Sequence, residues 1–137
     1  MSIVHTEITL KNAGDEAIVS AGIAEEYEVR QTTVQALVDT GAWTLVINED
    51  LRKKLGLRIT GTDPGTLADG TGNSYPVAGP LEVVWKDRRT ICEALVLPHA
   101  EEVLLGAIPL EALDLTVNPR KEEVVGAHGD QPLHSIK

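Results

Sequence analysis

The most informative segment of this sequence reads Gln35-Ala36-Leu37-Val38-Asp39-Thr40-Gly41-Ala42. Its apolar and β-branched residues end abruptly at one acid, Asp39. Apolar runs of this length that are bounded by glycine are typical of a buried strand that opens into a tight turn. Because Gly41 tolerates a close approach of the backbone, the N–H groups after Asp39 can turn back toward its carboxylate. The segment therefore predicts an acid held by rigid structure at the edge of a cleft.

The segments on either side of Asp39 predict a chain rich in strands. Apolar and β-branched residues, alternating or continuous and bounded by turn residues, favour extended structure over helix. The predicted strands cover residues 2–11, 17–22, 26–33, 75–85, 90–97, 115–118 and 122–125, and loops are predicted at 61–65 and 98–102. The strand pair 75–85 and 90–97 is expected to be a hairpin with a charged turn at 86–89.

Two short helices are predicted among these strands. In residues 48–56, Asn48 can cap the free N–H groups of the first turn and Gly56 supplies the left-handed stop. Residues 108–113 carry Pro109 in their first turn, where proline is tolerated. The fold class expected from the whole pattern is mostly β: a small closed antiparallel β-barrel with one or two short helices.

The composition limits the classes of function. A chain of 137 residues is long enough for one domain with its own core, and its formal charge of −9 opposes binding to nucleic acid phosphates. Its one cysteine, Cys92, cannot form an internal disulfide, and no apolar run is long enough to span a membrane. We expect no signal peptide, no membrane or nucleic-acid partner, and a cytoplasmic location.

Three segments resemble the elements of retropepsin-like aspartic proteases, in particular the short prokaryotic kind with a single motif. Ala36-Leu37-Val38-Asp39-Thr40-Gly41-Ala42 resembles the active-site loop, and Val103-Leu104-Leu105-Gly106-Ala107 resembles the element that crosses beneath it. Between them, residues 66–72 are similar in position and glycine content to the flap hairpin. The three occur in the family's order over roughly residues 28–119.

The resemblance implies the fold and activity of an aspartic endopeptidase, and it assigns roles to residues. Asp39 is the implied catalytic acid. The implied supports of the active site are Thr40, Gly41, Ala42, Leu105 and Gly106. The implied substrate-binding residues are Trp43, Leu67, Ala68, Asp69, Gly70 and Thr71. A buried core position is an open alternative for Trp43, because a large apolar ring suits either place.

One such motif in the chain predicts two chains in the enzyme. Aspartic proteolysis needs two carboxylates that share a proton, so that one activates water while the other protonates the amide. No second Asp of this sequence stands in a comparable context: Asp63 precedes proline, Asp69 precedes Gly-Thr and Asp114 lies between two leucines. We therefore expect a homodimer with twofold symmetry and a peptide or protein substrate. A partner protein that completes the dimer is the open alternative.

Other readings of the site have less support in the residues. Asp39 can be merely the acid of a turn, and the same fold can serve a dimeric peptide-binding module that does not cut. The four histidines, His5, His99, His128 and His134, show no ligand spacing, so neither a metal nor another cofactor is expected. The domain is expected to span residues 1–125, followed by a polar C-terminal tail at 126–137.

Overall fold

A computed structural model of the chain describes residues 3–63 and 74–128. Within these ranges the chain is mostly β, with three short helices. The strands are β1 His5–Asn12, β2 Gln31–Val38, β3 Leu45–Ile47, β4 Arg58–Asp63, β5 Tyr75–Trp85, β6 Arg88–Val96, β7 Val103–Leu105, β8 Leu115–Asn118 and β9 Glu123–Gly126. The helices are α1 Ala13–Ser20, α2 Glu49–Lys54 and α3 Ala107–Ala112.

Six strands close into a barrel in the order β1-β2-β7-β3-β6-β5, and β5 returns to pair with β1. The eleven residues of β5 make the closure possible, because its first half pairs with β4 and its second half pairs with β1. A separate hairpin is formed by β8 and β9. The prediction of a small closed β-barrel is confirmed, with one helix more than expected. Two pairings inside the barrel, β2 with β7 and β3 with β6, are parallel rather than antiparallel.

The barrel interior is one continuous apolar core. Alternate residues of the strands point inward, Leu110 of α3 is part of the same core, and Leu51 of α2 packs against it. The largest side chains with less than 2% exposure in this core are Ile8, Leu10, Leu45, Ile47, Leu55, Leu57, Leu81, Val83, Leu105 and Leu113. A second, smaller cluster consists of Ala42, Val46, Val77 and Leu95. Because Ala42 follows Gly41, this smaller cluster packs directly under the turn after β2.

Several local predictions are confirmed. Helix α2 begins after Asn48, whose Oδ1 accepts from the Leu51 N–H, and ends before Gly56, which has a φ of 64°. Helix α3 lies one residue earlier than predicted, and β5 and β6 form the expected hairpin. Its turn covers only 86–87 instead of the predicted 86–89, because Arg88 pairs with Trp85 and Arg89 with Val84.

Three local predictions are wrong. Residues 17–22, expected as a strand, belong largely to α1, because Asn12 accepts a hydrogen bond from the Asp15 N–H and starts a helix. Residues 26–28, expected to begin a strand, form a 3₁₀ turn before β2. Residues 61–63, expected as loop, extend β4 because they pair with Val77, Pro76 and Tyr75 of β5.

The first residues of the predicted tail, 126–128, contact the β8–β9 hairpin and Asp114. Gly126 pairs with Leu115 in the last hairpin, and the Ala127 N–H donates to the Asp114 carbonyl oxygen at 2.7 Å. The His128 ring also contacts the Asp114 carboxylate, with 2.6 Å between Nδ1 and Oδ1. The rest of the predicted tail lies outside the described residues.

Candidate active site

Asp39 stands immediately after the last residue of β2, where a neighbouring strand fixes its backbone. Strand β7 runs parallel to β2 and places Leu105 opposite Val38. The Asp39 N–H donates to the Leu105 carbonyl oxygen at 3.0 Å. Leu105 has 0% exposure in the barrel core, so the acceptor of this bond cannot move without disturbing the core.

The turn after β2 holds the carboxylate of Asp39. The Gly41 N–H donates to Asp39 Oδ1 at 2.9 Å, and the Ala42 N–H donates to the Asp39 carbonyl oxygen at 3.1 Å. A Cβ built on Gly41 would lie 3.1 Å from Asp39 Oδ1, so a side chain there would crowd the acid. Asp39 is partly buried, whereas Thr40 and Gly41 are exposed. The turn thus orients a carboxylate at the surface without burying it.

Gly106 allows the backbone between β7 and α3 to lie in close contact with the Asp39 turn. A Cβ on Gly106 would lie 2.2 Å from the Thr44 carbonyl oxygen and 2.6 Å from that of Ala42. The N–H of Ala107 donates to the Ala42 carbonyl oxygen at 2.8 Å, and the N–H of Ile108 donates to the Trp43 carbonyl oxygen at 2.9 Å. The first turn of α3 is therefore joined to the Asp39 turn by backbone hydrogen bonds.

Trp43 is a surface residue with a fixed side chain. Its side chain is 42% exposed, so it does not occupy a buried core position. The indole Nε1–H donates to Asp63 Oδ2, at 2.8 Å, on the last residue of β4. This contact links the Asp39 turn to the β4–β5 pair. This bond is not predictable from the sequence, because a contact between residues 43 and 63 depends on how the barrel closes.

The structure brings most of the predicted site residues together. Asp39, Thr40, Gly41, Ala42 and Trp43 form one turn, and Leu105 and Gly106 contact its backbone. The remaining predicted residues, Leu67, Ala68, Asp69, Gly70 and Thr71, lie outside the described residues. The strands that flank them pair as far as Asp63 opposite Tyr75.

Two polar groups near the turn were not predicted. The Thr44 hydroxyl donates to the Glu93 carbonyl oxygen at 2.9 Å, which joins the turn to β6. Next to Glu93, the partly buried thiol of Cys92 has its pKa raised to about 11, chiefly by burial. A thiol with so high a pKa is poorly nucleophilic at neutral pH.

Other kinds of site find no support in the described part of the chain. Residues 3–63 and 74–128 contain no group of three or more His, Cys, Asp or Glu side chains that could hold a metal ion. In the same ranges, no helix has the length and apolar character needed to cross a membrane.

Comparisons with known proteins agree with the geometry. A family model described as Aspartyl protease matches residues 25–108, which include the Asp39 turn and β7. Among solved structures, the retroviral protease-like domain of Ddi1 from Leishmania major gives a TM-score of 0.58 at 13% identity, over 99% of each chain. A retropepsin-like aspartic protease from Rickettsia conorii gives a TM-score of 0.49 at 18% identity, over 87% of this chain and 90% of that one. No match was found among curated proteins.

Proposed function

The chain belongs to the aspartyl protease family and has a retropepsin-like fold, and on that premise we propose that it is an aspartic endopeptidase. In this proposal two copies of the chain form a homodimer, and each copy contributes Asp39 to one shared site. The substrate is a peptide or protein, and water is the second reactant.

The observation that carries the proposal is the double attachment of Asp39. Its main chain is fixed by the Leu105 carbonyl oxygen, and its carboxylate is fixed by the Gly41 N–H. An acid that only shapes a turn can make the same two bonds, so the attachment supports catalysis together with the aspartyl protease family match over residues 25–108. A carboxylate whose direction is fixed before substrate arrives suits general acid–base catalysis.

The chemistry follows from placing two such carboxylates together. Two carboxyl groups at short distance do not both ionise, because their negative charges would repel each other. The pair therefore holds one proton. The ionised member accepts a proton from water, whose oxygen then forms a bond to the peptide carbonyl carbon. The protonated member donates to the amide nitrogen, the C–N bond breaks, and a carboxylic acid and an amine are released.

The other residues of the turn have supporting roles in this proposal. Thr40 is exposed, as a residue that contacts a second copy must be. Gly41 and Ala42 offer backbone groups to the site, while Leu105 and Gly106 support it from beneath. Trp43 contacts substrate, as do Leu67, Ala68, Asp69, Gly70 and Thr71.

Cleavage of a mixed peptide library tests the activity. The wild-type chain is assayed from mildly acidic to neutral pH beside Asp39→Asn, which keeps the size of the side chain but cannot hold the shared proton. The matched control is Asp50→Asn, which changes an exposed acid on α2. Cleavage that is lost only in Asp39→Asn supports the proposal. Lack of cleavage by a proven wild-type dimer would contradict it and would favour a peptide-binding module.

Subunit mixing tests whether one site needs two copies of Asp39. Wild-type and Asp39→Asn chains are mixed in equal amounts and allowed to exchange, so that a quarter of the dimers carry two wild-type chains. Activity per wild-type chain should fall to about half of its value without the mutant. Unchanged activity, or a monomeric mass at all concentrations, would exclude the shared site.

The cytoplasm is the compartment we propose for this activity. The support is the single cysteine, since proteins of oxidising compartments are commonly stabilised by disulfides. Fractionation of the native cells, followed by detection of the chain, tests this assignment.

A further inference from the structure

Trp43 lines an apolar groove that Asp39 does not line. Its volume is about 400 Å³, and we call it the Trp43 groove. It is lined by Trp43, Thr44, Pro80, Ile91, Cys92, Glu93 and Ile108. Three of these side chains are large, apolar and substantially exposed: Ile91 at 62%, Ile108 at 47% and Trp43 at 42%.

The walls of the groove are anchored to the Asp39 turn. The Ile108 N–H donates to the Trp43 carbonyl oxygen, and the Thr44 hydroxyl donates to the Glu93 carbonyl oxygen. These bonds join α3 and β6 to the same turn that carries the acid. Trp43 therefore belongs both to the groove and to the turn that carries the acid, and the walls on either side of it are held to that turn.

Asp63 fixes the rotation of the Trp43 ring. An exposed indole normally samples several rotamers, but the 2.8 Å bond from Nε1 to Asp63 Oδ2 selects one of them. The N–H edge of the indole therefore faces β4, while Trp43 also lines the groove. An exposed ring that is fixed in advance loses little conformational entropy when it binds an apolar group.

We propose that the Trp43 groove binds a bulky apolar side chain of the substrate peptide, outside the two residues that flank the cleaved bond. Trp43 is then a specificity-determining residue, and Asp63 is a positioning residue that acts through it. The inference rests on the proposed function, because the place of Trp43 in both the groove and the Asp39 turn is what identifies a peptide as the occupant.

The chemistry of the lining favours an apolar side chain over a charged one. Indole and isoleucine surfaces gain free energy when they are removed from water together with another apolar surface. Glu93, whose Oε2 accepts a hydrogen bond from the Thr60 hydroxyl, is the one charged residue of the lining. A lysine or arginine of the substrate would meet this single carboxylate and otherwise mainly apolar atoms, which do not compensate for its loss of hydration.

The first test compares two isoleucine variants on peptides that the library assay identifies. Ile91→Ser changes the groove, and Ile23→Ser changes an isoleucine that is 77% exposed elsewhere. Each is assayed on two peptides that differ only by Leu or Ser at the position of strongest apolar preference outside the two residues that flank the cleaved bond. We expect Ile91→Ser to reduce the ratio of kcat/KM for the two peptides about five- to tenfold, and Ile23→Ser to leave it unchanged. An unchanged ratio in Ile91→Ser would overturn the proposal.

The second test separates the positioning role of Asp63 from general damage to the fold. Trp43→Phe keeps an aromatic ring but lacks the N–H donor, whereas Asp63→Asn keeps a carbonyl acceptor. Trp43→Phe should raise KM about three- to tenfold for the Leu peptide and leave kcat within about twofold, and Asp63→Asn should behave like the wild type. Asp63→Leu should match Trp43→Phe, and combining the two changes should add nothing further. Additive effects, or a fall in kcat alone, would contradict the positioning role.

A binding measurement distinguishes failure of the groove from failure of the enzyme. The chain has two tryptophans, so its indole N–H groups give two NMR signals, of which that of the buried Trp85 serves as reference. The Asp39→Asn chain is titrated with two short peptides of one fixed polar sequence that carry a single Leu or a single Ser, so that the probe does not depend on cleavage. A saturable shift of the Trp43 signal with the Leu peptide supports the groove even if no variant cleaves. Equal responses to both peptides, or a response of neither signal, would overturn the groove and leave the catalytic proposal standing.

Discussion

Gly106 and Thr44 are in backbone contact so close that no other amino acid fits at position 106. A Cβ on Gly106 would lie 2.2 Å from the Thr44 carbonyl oxygen, and the next nearest atom, the Ala42 carbonyl oxygen, would be at 2.6 Å. Both obstacles are backbone atoms of the Asp39 turn. The contact therefore links the stability of the fold to the position of the candidate catalytic acid.

Gly106→Ala is expected to be strongly destabilising because the atoms that a Cβ would meet belong to the backbone and not to the end of a flexible side chain. The free energy of unfolding should fall by about 3 kcal/mol, as is found for overpacked interiors, and cleavage should be lost even where the variant remains folded. Gly61→Ala is the matched control, since a Cβ there would have no atom within 4 Å. Urea unfolding of both variants checks the prediction, and equal midpoints would contradict it.

Asp15 and Arg30 predict a loss of stability in acid. Two side-chain bonds and one backbone bond from Arg30 reach the Asp15 carboxylate, and they lower its pKa. Because the pKa is lower in the folded state, the pair stabilises the protein above the unfolded value of about 3.9, and this contribution is lost as the pH falls through the folded value.

Asp15→Asn should reduce the free energy of unfolding by about 1–2 kcal/mol at pH 7, allowing for the half-exposed Arg30 side chain. The difference from the wild type should disappear as the pH is lowered below 4 in urea titrations. A difference that persists undiminished at the lowest pH would show that the carboxylate charge is not the cause.

The charge of Glu16, close to that of Glu82, should lower the free energy of unfolding at neutral pH, whereas the charge of Asp15 raises it. Burial raises the pKa of Glu16, the negative charge of Glu82 raises it further, and Glu16 Oε1 is buried without a hydrogen-bond partner among the described residues. An acid whose pKa is raised by folding destabilises the folded state once the pH exceeds the unfolded value of about 4.3.

Glu16→Gln should therefore raise the free energy of unfolding at pH 7 by roughly 1 kcal/mol, and the gain should vanish near pH 4. Glu7→Gln, which changes an exposed acid on β1, is the control. Thermal unfolding at both pH values checks the result. Destabilisation by Glu16→Gln at pH 7 would show that its charged form has a stabilising contact.

Cys92 should be almost unreactive in the folded protein. With a pKa of about 11, its thiolate fraction at pH 7.5 is smaller than that of an ordinary cysteine by about two orders of magnitude. Labelling by a coloured disulfide reagent should be slow by that factor and should become fast in urea at the same pH. Rapid labelling without urea would indicate that the thiol is more accessible than its partly buried position implies.

Features with a local cause were predictable from the sequence. Asn48 and Gly56 bracket α2 because capping needs only a side-chain acceptor at one end and a left-handed residue at the other. The Asp39 turn was equally readable, since an apolar run, an acid and a glycine within a few residues define it.

Features that depend on distant contacts were missed. The pattern of 17–22 predicts a strand because 17–19 are apolar and two of them are β-branched. In the structure Asn12, the cap of α1, is fixed by a second bond, from its Nδ2 to the Leu55 carbonyl oxygen at 2.9 Å. That bond holds Asn12 in place to cap the helix, and nothing near Asn12 in the sequence reveals it. The link from Trp43 to Asp63 was invisible for the same reason.

The parallel pairing of β2 with β7 has a consequence for the newly made chain. Leu105, whose carbonyl group holds the backbone of Asp39, is synthesised well after Asp39 itself. Pairings between such distant segments form late because closing long loops is entropically costly. A nascent or truncated chain that lacks β7 therefore carries Asp39 without the backbone bond that holds it. On the proposed function, such a chain cannot cleave peptides before β7 has been added to the barrel.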